Sequence, residues 1–157
     1  MMISSDLYNQ ILRCMPIPCV DLVVTDKAGN ILLVKRDSEP AKGQWWFPGG
    51  RVHYKEKRVD AAVRKLKEEC NLEAIEIREL GTFDVILENK MTNSVVHGIT
   101  TLFFMKVEGR DVIRLDHQSV DADWRPPEEW FKENLDPFVK ESLCNKNTTT
   151  KFLLINQ

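Results

Sequence analysis

The stretch from Pro48 to Leu72 joins a proline–glycine–glycine turn to one amphipathic helix. Apolar side chains recur at helical spacing through residues 58–70, at Val59, Ala62, Val63, Leu66 and Cys70. With the first of these at zero on a helical wheel, Arg64 falls about 140° away, Glu68 about 180° and Glu69 about 280°. We therefore expect the helix to bury one apolar stripe and to direct two carboxylates and a guanidinium away from the core.

Those two carboxylates occupy an unfavourable place for a helix. Glu68 and Glu69 lie in its last turn, where the negative end of the helix dipole disfavours anions by roughly 0.3–1 kcal/mol each. Their i,i+4 partners, Arg64 and Lys65, precede them, which is the weaker orientation for such ion pairs. A solvated acidic helix end is one explanation. The other is a divalent cation such as Mg²⁺, which binds carboxylate, phosphate and water oxygens.

Charge and composition exclude several classes of protein. The chain has 157 residues, and 22 Lys and Arg against 24 Asp and Glu give a formal net charge of −2. This balance offers no general attraction for nucleic acid or an anionic membrane. The longest apolar runs, 31–34 and 102–105, are far shorter than the roughly 20 residues of a membrane-spanning helix. The four cysteines form no CxxC pair and nothing resembles a signal peptide, so we expect reduced thiols and a cytoplasmic protein.

The order of elements predicts a single α+β domain over residues 1–157. We expect an N-terminal helix at about 5–13, a hairpin formed by CVDLVVTD and ILLVKR, and the central helix. Strand-like segments follow near 74–88, 94–108 and 111–115. Pro126 and Pro127 open a further helix, and a final helix spans about 136–145. Antiparallel strands combined with a central helix and terminal helices indicate an α/β sandwich.

The spacing within the glycine–helix stretch is more specific than its composition. From Gly50 it reads G-x5-E-x7-R-x3-E-E, through Glu56, Arg64, Glu68 and Glu69. This resembles the Nudix box, G-x5-E-x7-R-E-U-x-E-E-x-G-U with U a bulky aliphatic residue. That box is the signature of hydrolases that act on a nucleoside diphosphate linked to another moiety. The resemblance places the box at residues 50–72.

Two positions depart from the family pattern. Asn71 replaces a glycine, which is a mild change because Asn is the next-best residue for a left-handed helix exit. Lys65 replaces a glutamate, which removes a carboxylate beside the expected metal and adds a positive charge. Leu66 and Leu72 fill both bulky aliphatic positions.

Residues outside the box make the resemblance narrower. The chain looks like the GDP-mannose mannosyl hydrolase branch of the Nudix hydrolases from about residue 5 to residue 124, including Asp21, Arg36, the segment 40–43, Trp46, residues 48–52, Gln118 and Trp124. This resemblance implies a Nudix-type α/β/α sandwich with a mixed central sheet and a catalytic loop–helix. It also implies a homodimer, and Mg²⁺ or alternatively Mn²⁺ as the cofactor.

The resemblance implies a metal site at the acidic helix end. The backbone carbonyl of Gly49 and the side chains of Glu69 and Gln118 would hold one Mg²⁺. Glu68 would be a further ligand or a base beside the ion.

The resemblance also implies a binding site for a small nucleoside diphosphate sugar. Arg36 and Arg51 would bind the diphosphate, since planar guanidinium groups suit phosphate oxygens. Asp21, in the otherwise apolar strand CVDLVV, would hydrogen-bond the sugar, because a purely structural carboxylate there would be costly.

In that branch, water attacks the anomeric carbon of the sugar and the nucleoside diphosphate leaves. The branch carries a basic histidine directly after the glutamine ligand, where this chain has Ser119, whereas His117 precedes Gln118. An imidazole acts as a base near neutral pH, so His117 is the first candidate, with His53 and His97 as weaker ones. The candidate catalytic residues are Arg36, Arg51, Arg64, Glu68 and His117.

Three functions remain open from the sequence. The first is the sugar-nucleotide hydrolase with attack at carbon. The second is a conventional Nudix pyrophosphohydrolase that cleaves the P–O–P link, which the presence of both Glu68 and Glu69 favours and Lys65 opposes. The third is a non-catalytic protein that binds a nucleotide sugar.

Overall fold

The chain folds into a mixed β-sheet with helices on both faces. The computed structural model describes residues 3–110, 113, 115 and 119–144. The helices are α1 (Ser5–Cys14), α2 (Arg58–Cys70), α3 (Pro127–Trp130) and α4 (Pro137–Cys144). The strands are β1 (Ile17–Thr25), β2 (Ile31–Arg36), β3 (Trp45–Trp46), β4 (Gly49–Arg51), β5 (Ala74–Asn89), β6 (Ser94–Val107) and β7 (Ser119–Arg125).

The sheet is mixed because β1 and β6 run parallel, whereas the other described pairs are antiparallel. The strand order is β3-β2-β1-β6-β5, with β4 paired to β1 and β7 paired to β2. Strand β1 changes partner along its length. Val24 and Thr25 pair with β2, whereas Asp21 lies opposite Gly49 of β4. This exchange brings the glycine turn beside Asp21.

Alternation along the strands separates a packed face from a site face. The even-numbered residues Val20, Leu22 and Val24 of β1 pack in the cluster that contains Leu66 of α2. The odd-numbered residues Ile17, Cys19 and Asp21 line a cavity on the opposite face. Farther along that face, a second apolar cluster joins the sheet to α3 and α4 through Trp130, Val139 and Leu143.

The sequence predictions of an α+β fold and a mixed sheet are confirmed. The β1–β2 hairpin, α1 and α2 lie within one or two residues of their predicted bounds, and β5 and β6 correspond to the predicted strands at 74–88 and 94–108. The short strands β3 and β4, and strand β7, were not predicted. Most of the predicted strand at 111–115 lies outside the described residues. Among the helices of the described segments, none combines the length and apolar character that a bilayer span requires.

The predicted buried face of α2 is wrong by roughly a quarter turn. Val59 and Val63, taken as part of the apolar stripe, are 40 % and 47 % exposed. The buried residues of the helix are Ala61, Ala62, Lys65, Leu66, Glu69 and Cys70. The stripe that meets the sheet is therefore centred near Glu69, which the wheel had directed off the core.

A bidentate ion pair fastens the loop before α2 to the helix. Arg64 donates from Nε to Glu56 Oε1 (2.7 Å) and from Nη2 to Glu56 Oε2 (2.8 Å). The same Nη2 donates to the carbonyl oxygen of Arg51 (3.1 Å), and the His53 amide donates to Glu56 Oε2 (2.8 Å). The Arg64 guanidinium, through its hydrogen bonds, lowers the pKa of Glu56 to about 2. These contacts fix the strand that carries Arg51 relative to the helix that carries Glu68.

We expect Glu56→Gln to lower the free energy of unfolding by about 2 kcal/mol at pH 7, the usual worth of hydrogen bonds to a charged group. The folded-state pKa lies below the ordinary value of 4.5. The ionised carboxylate therefore stabilises the fold fully above about pH 4.5, and this stabilisation is lost as the pH falls through about 2. Denaturant unfolding at pH 7, 4 and 2 measures the difference. Glu141→Gln on the exposed side of α4 is the control, and an equal deficit for Glu56→Gln at all three pH values would contradict the assignment.

Candidate active site

A cavity of about 840 Å³ lies between the sheet, the glycine turn and α1. Its charged lining comes from Asp21, Arg36, Arg51 and the second half of α2. Its apolar wall comes from the β5–β6 hairpin, through Val85, Leu87 and Val96, and α1 contributes Tyr8. The cavity therefore combines cations and carboxylates with apolar side chains in one lining, which suits a ligand with a charged and a less polar part.

Asp21 is a buried carboxyl group at the floor of this cavity. Burial raises its pKa to about 7, against the opposing effects of the Arg36 guanidinium and of hydrogen bonds with Thr100 and Trp46. An added Cβ on Gly49 would lie 2.5 Å from Asp21 Oδ1, so only glycine leaves room for this side chain. Near neutral pH the group changes its protonation readily, and it can therefore donate or accept a hydrogen bond.

The two arginines predicted to bind a diphosphate line the same cavity. Arg36 is oriented by a hydrogen bond from its Nε to the Pro40 carbonyl (2.8 Å). Arg51 stacks its guanidinium over the Tyr8 ring, 4.6 Å from the ring centroid. Both side chains are half-buried, so the aliphatic part of each is held by packing while its guanidinium group lies at the cavity wall.

The acidic end of α2 meets the glycine turn. Glu69, only 4 % exposed, accepts a hydrogen bond at Oε2 from the Gly49 amide (3.1 Å). Its Oε1 lies 2.6 Å from Lys65 Nζ, and Glu68 Oε2 lies 3.6 Å from the same nitrogen. Glu68 also accepts from Arg64 Nη1 (3.1 Å). The two carboxylates thus converge on one ammonium group beside the turn.

This donor set fits a hard cation. Two carboxylates already surround one positive charge, and divalent ions such as Mg²⁺ select oxygen ligands of this kind. Within the described segments, no three His, Cys, Asp or Glu side chains are grouped closely enough to hold a metal. A divalent ion at Glu68 and Glu69 therefore needs additional oxygens from the backbone, an amide side chain, the substrate or water.

The structure describes most of the predicted site residues and brings them together. Arg36, Arg51, Arg64, Glu68, Gly49 and Asp21 line the cavity, and Glu69 lies directly behind its wall at Lys65. Two predicted residues, His117 and Gln118, lie outside the described residues. Of the other histidines, His53 lines the cavity, whereas His97 pairs with Asp84 (2.9 Å) on the opposite face of the β5–β6 hairpin.

Three contributors to the site were not assigned from the sequence. Lys65 was noted from the sequence only as a departure from the box and was given no role. That departure was the sequence signal that could have identified it as a site residue. Tyr8 and Thr100 had no signal, because their positions in the cavity depend on the packing of α1 and on the pairing of β6 with β1. The aromatic segment 45–47 lies mainly in the core, since Trp46 and Phe47 are buried.

Comparison with known proteins identifies the family. The family model of the NUDIX domain matches residues 15–145. The chain is 31 % identical over 144 residues to the low-salt glycan biosynthesis protein Agl8 of Haloferax volcanii, covering 90 % of this chain and 88 % of that protein. It is 40 % identical over 67 residues to the ADP-ribose pyrophosphatase of Methanocaldococcus jannaschii, covering 43 % of this chain and 39 % of that protein.

The fold comparison agrees. The NUDIX domain of Shewanella oneidensis NrtR, solved as a complex with ADP ribose, superposes with a TM-score of 0.71 at 18 % identity, covering 96 % of this chain and 99 % of that one. Family model, sequence relatives and fold together give one conclusion. This chain belongs to the Nudix hydrolase family.

Proposed function

We propose that this chain is a Mg²⁺-dependent hydrolase of a nucleoside diphosphate sugar, of the GDP-mannose or GDP-hexose type. The observation that carries the proposal is that Arg36 and Arg51 line one cavity with the buried Asp21. Two guanidinium groups suit a diphosphate, and a buried carboxyl group suits the hydroxyls of a sugar. Similarity to a protein named for glycan biosynthesis supports a sugar-linked substrate.

In the proposed reaction, water attacks the anomeric carbon of the sugar. A bond forms between the water oxygen and that carbon, and the bond from the carbon to the diphosphate oxygen breaks. The diphosphate leaves with the electron pair, and Arg36 and Arg51 neutralise its charge. The proton of the attacking water passes to a base, for which His117 is our candidate.

Four groups would hold the metal: the Gly49 carbonyl, Glu68, Glu69 and Gln118. When bound, Mg²⁺ supplies charge neutralisation to the diphosphate. We assign Arg64 to positioning, because its guanidinium is committed to Glu56, Glu68 and the Arg51 carbonyl. Through these contacts it sets the places of Arg51 and of one acidic ligand.

The runner-up function is a Nudix pyrophosphohydrolase that cleaves between the two phosphates. The specific observation in its favour is that two neighbouring carboxylates, Glu68 and Glu69, lie in the last turn of α2, and Glu69 reaches the glycine turn through the Gly49 amide. The partial similarity to an ADP-ribose pyrophosphatase points the same way. A non-catalytic nucleotide-sugar sensor is the third possibility, and it predicts metal-independent binding without turnover.

We also propose a cytoplasmic homodimer. Helix α1 is amphipathic yet buries none of its residues. Leu7 within the helix is exposed, and so is Met15 directly after it. A second copy of the chain would cover these side chains, as the family resemblance implies. The four cysteines carry no disulfide, in keeping with a reducing compartment.

The position of bond cleavage tests the proposed function directly. We expect that turnover of a sugar nucleotide with Mg²⁺ in ¹⁸O-water places the label in the free sugar and leaves the nucleoside diphosphate unlabelled, by mass spectrometry. Label in a phosphate product would establish the pyrophosphohydrolase instead. Binding without turnover across a panel of bases and sugars would favour the sensor.

We expect Glu69→Gln to lower kcat by about 100-fold or more, because it removes a charged oxygen from the site that stabilises the leaving diphosphate. It should also weaken Mn²⁺ binding measured by calorimetry. The free energy of unfolding should fall too, since the buried Lys65 ammonium loses the nearer of its two carboxylate partners. Glu73→Gln, on the exposed segment after α2, is the matched control and should leave all three quantities near wild type. Near-normal turnover of Glu69→Gln would remove its metal role.

The role of Asp21 is separable from diphosphate binding. We expect Asp21→Asn to raise KM for the sugar nucleotide about tenfold or more, the usual cost of weakening a hydrogen bond to a charged group. The inhibition constant of the nucleoside diphosphate product should stay within about twofold of wild type, because that product lacks the sugar. Steady-state kinetics with product inhibition measures both. Equal weakening of substrate and product would place Asp21 at the phosphates.

A further inference from the structure

The residue at position 65 changes the net charge of the site directly beside Glu68 and Glu69. The family box carries a glutamate there, whereas this chain carries a lysine. The three side chains Lys65, Glu68 and Glu69 sum to a formal charge of −1, and a glutamate at position 65 would make that sum −3. A site that would collect divalent ions is therefore two charges less negative than the family pattern.

The Lys65 ammonium lies inside the acidic cluster and not outside it. Its Nζ is 2.6 Å from Glu69 Oε1 and 3.6 Å from Glu68 Oε2. Lys65 is 8 % exposed, so this is a buried ion pair, whose contacts solvent screens weakly. An added Cβ on Gly50 would come within 2.8 Å of Lys65 Cε. The lysine stem thus lies directly against the backbone of the glycine turn, which holds the ammonium in place.

Lys65 also stands between Glu69 and the cavity. Lys65 and Glu68 line the cavity together with Arg36 and Arg51, and Glu69 does not. A ligand in the cavity therefore meets an ammonium where the family pattern would present a carboxylate. An ammonium attracts phosphate oxygens as a compact point charge.

We propose that Lys65 is a built-in cation of this site, which binds the diphosphate directly and lowers the affinity of Glu68 and Glu69 for a divalent ion. This inference rests on the proposed function and adds a residue to it. Lys65 then shares the neutralisation of the diphosphate with Arg36 and Arg51. The affinity of the site for a divalent ion falls because the ion and the ammonium repel each other at such short range.

Metal affinity gives the first test. We expect Lys65→Met, which keeps the length of the stem and removes the charge, to bind Mn²⁺ about tenfold more tightly than wild type by titration calorimetry of the metal-free protein. Lys65→Glu should bind Mn²⁺ more tightly still. Lys67→Met, on the exposed side of the same helix where Lys67 pairs with Glu73 (3.1 Å), is the control and should match wild type within about twofold.

Diphosphate affinity gives the second test. With EDTA present, we expect inorganic pyrophosphate to bind Lys65→Met about tenfold more weakly than wild type and Lys67→Met equally well. Far-ultraviolet circular dichroism and an unfolding curve show whether each variant is folded. If Lys65→Met does not fold, Lys65→Gln removes the same charge while keeping a hydrogen-bond donor for Glu69.

Unchanged or weaker Mn²⁺ binding in the folded Lys65 variant would overturn the proposal, and so would unchanged pyrophosphate binding. Absence of Mn²⁺ binding in all the proteins would overturn it as well. The proposed function fails by a different result, namely ¹⁸O label in a phosphate product or no turnover of any sugar nucleotide. An enzyme that passes the label test with Mn²⁺ affinity independent of Lys65 would retain the function and lose this inference.

Discussion

The carboxylate of Glu69 ties the glycine turn to the central helix. One oxygen accepts from the Gly49 amide at 3.1 Å and the other meets the Lys65 ammonium at 2.6 Å. A charge this deeply buried is tolerated only when it is paired and hydrogen-bonded, and the two contacts meet that requirement from two different elements. The turn they anchor lies opposite Asp21 in the β1–β4 pairing. The position of the glycine turn, beside Asp21 and against the last turn of α2, therefore depends on one buried carboxylate.

Features that follow from local chemistry were predictable from the sequence. Asn71 ends α2 in the left-handed conformation, with φ of 55°, because its short polar side chain tolerates that conformation nearly as well as glycine. The β1–β2 hairpin follows from two β-branched runs separated by a short polar segment. The spacing of Arg64, Glu68 and Glu69 relative to Gly50 was sufficient to recognise the family, because that spacing corresponds to a loop followed by the last two turns of one helix.

Features that depend on non-local packing were not predictable. A helical wheel assumes that the apolar side of a helix is its buried side, whereas α2 buries Lys65 and Glu69 and exposes Val59 and Val63. The burial becomes tolerable because the two charges pair with each other and Glu69 also accepts a hydrogen bond from the Gly49 amide. No helical periodicity reveals these contacts. The cavity wall from the β5–β6 hairpin likewise depends on the register that sets Leu87 opposite Val96, far in sequence from Arg36.

The balance of charge around Lys65 also bears on which bond the enzyme breaks. Attack at phosphorus brings a nucleophile toward an already anionic diphosphate, a step that extra carboxylates assist by collecting more divalent ions. Attack at the anomeric carbon requires fewer divalent ions around the phosphates. The main requirement there is that the charge of the departing diphosphate be neutralised. An ammonium fixed beside Glu68 and Glu69, with Arg36 and Arg51 on the same cavity wall, meets the second requirement and works against the first. The replacement of one glutamate by lysine therefore favours cleavage at carbon on electrostatic grounds.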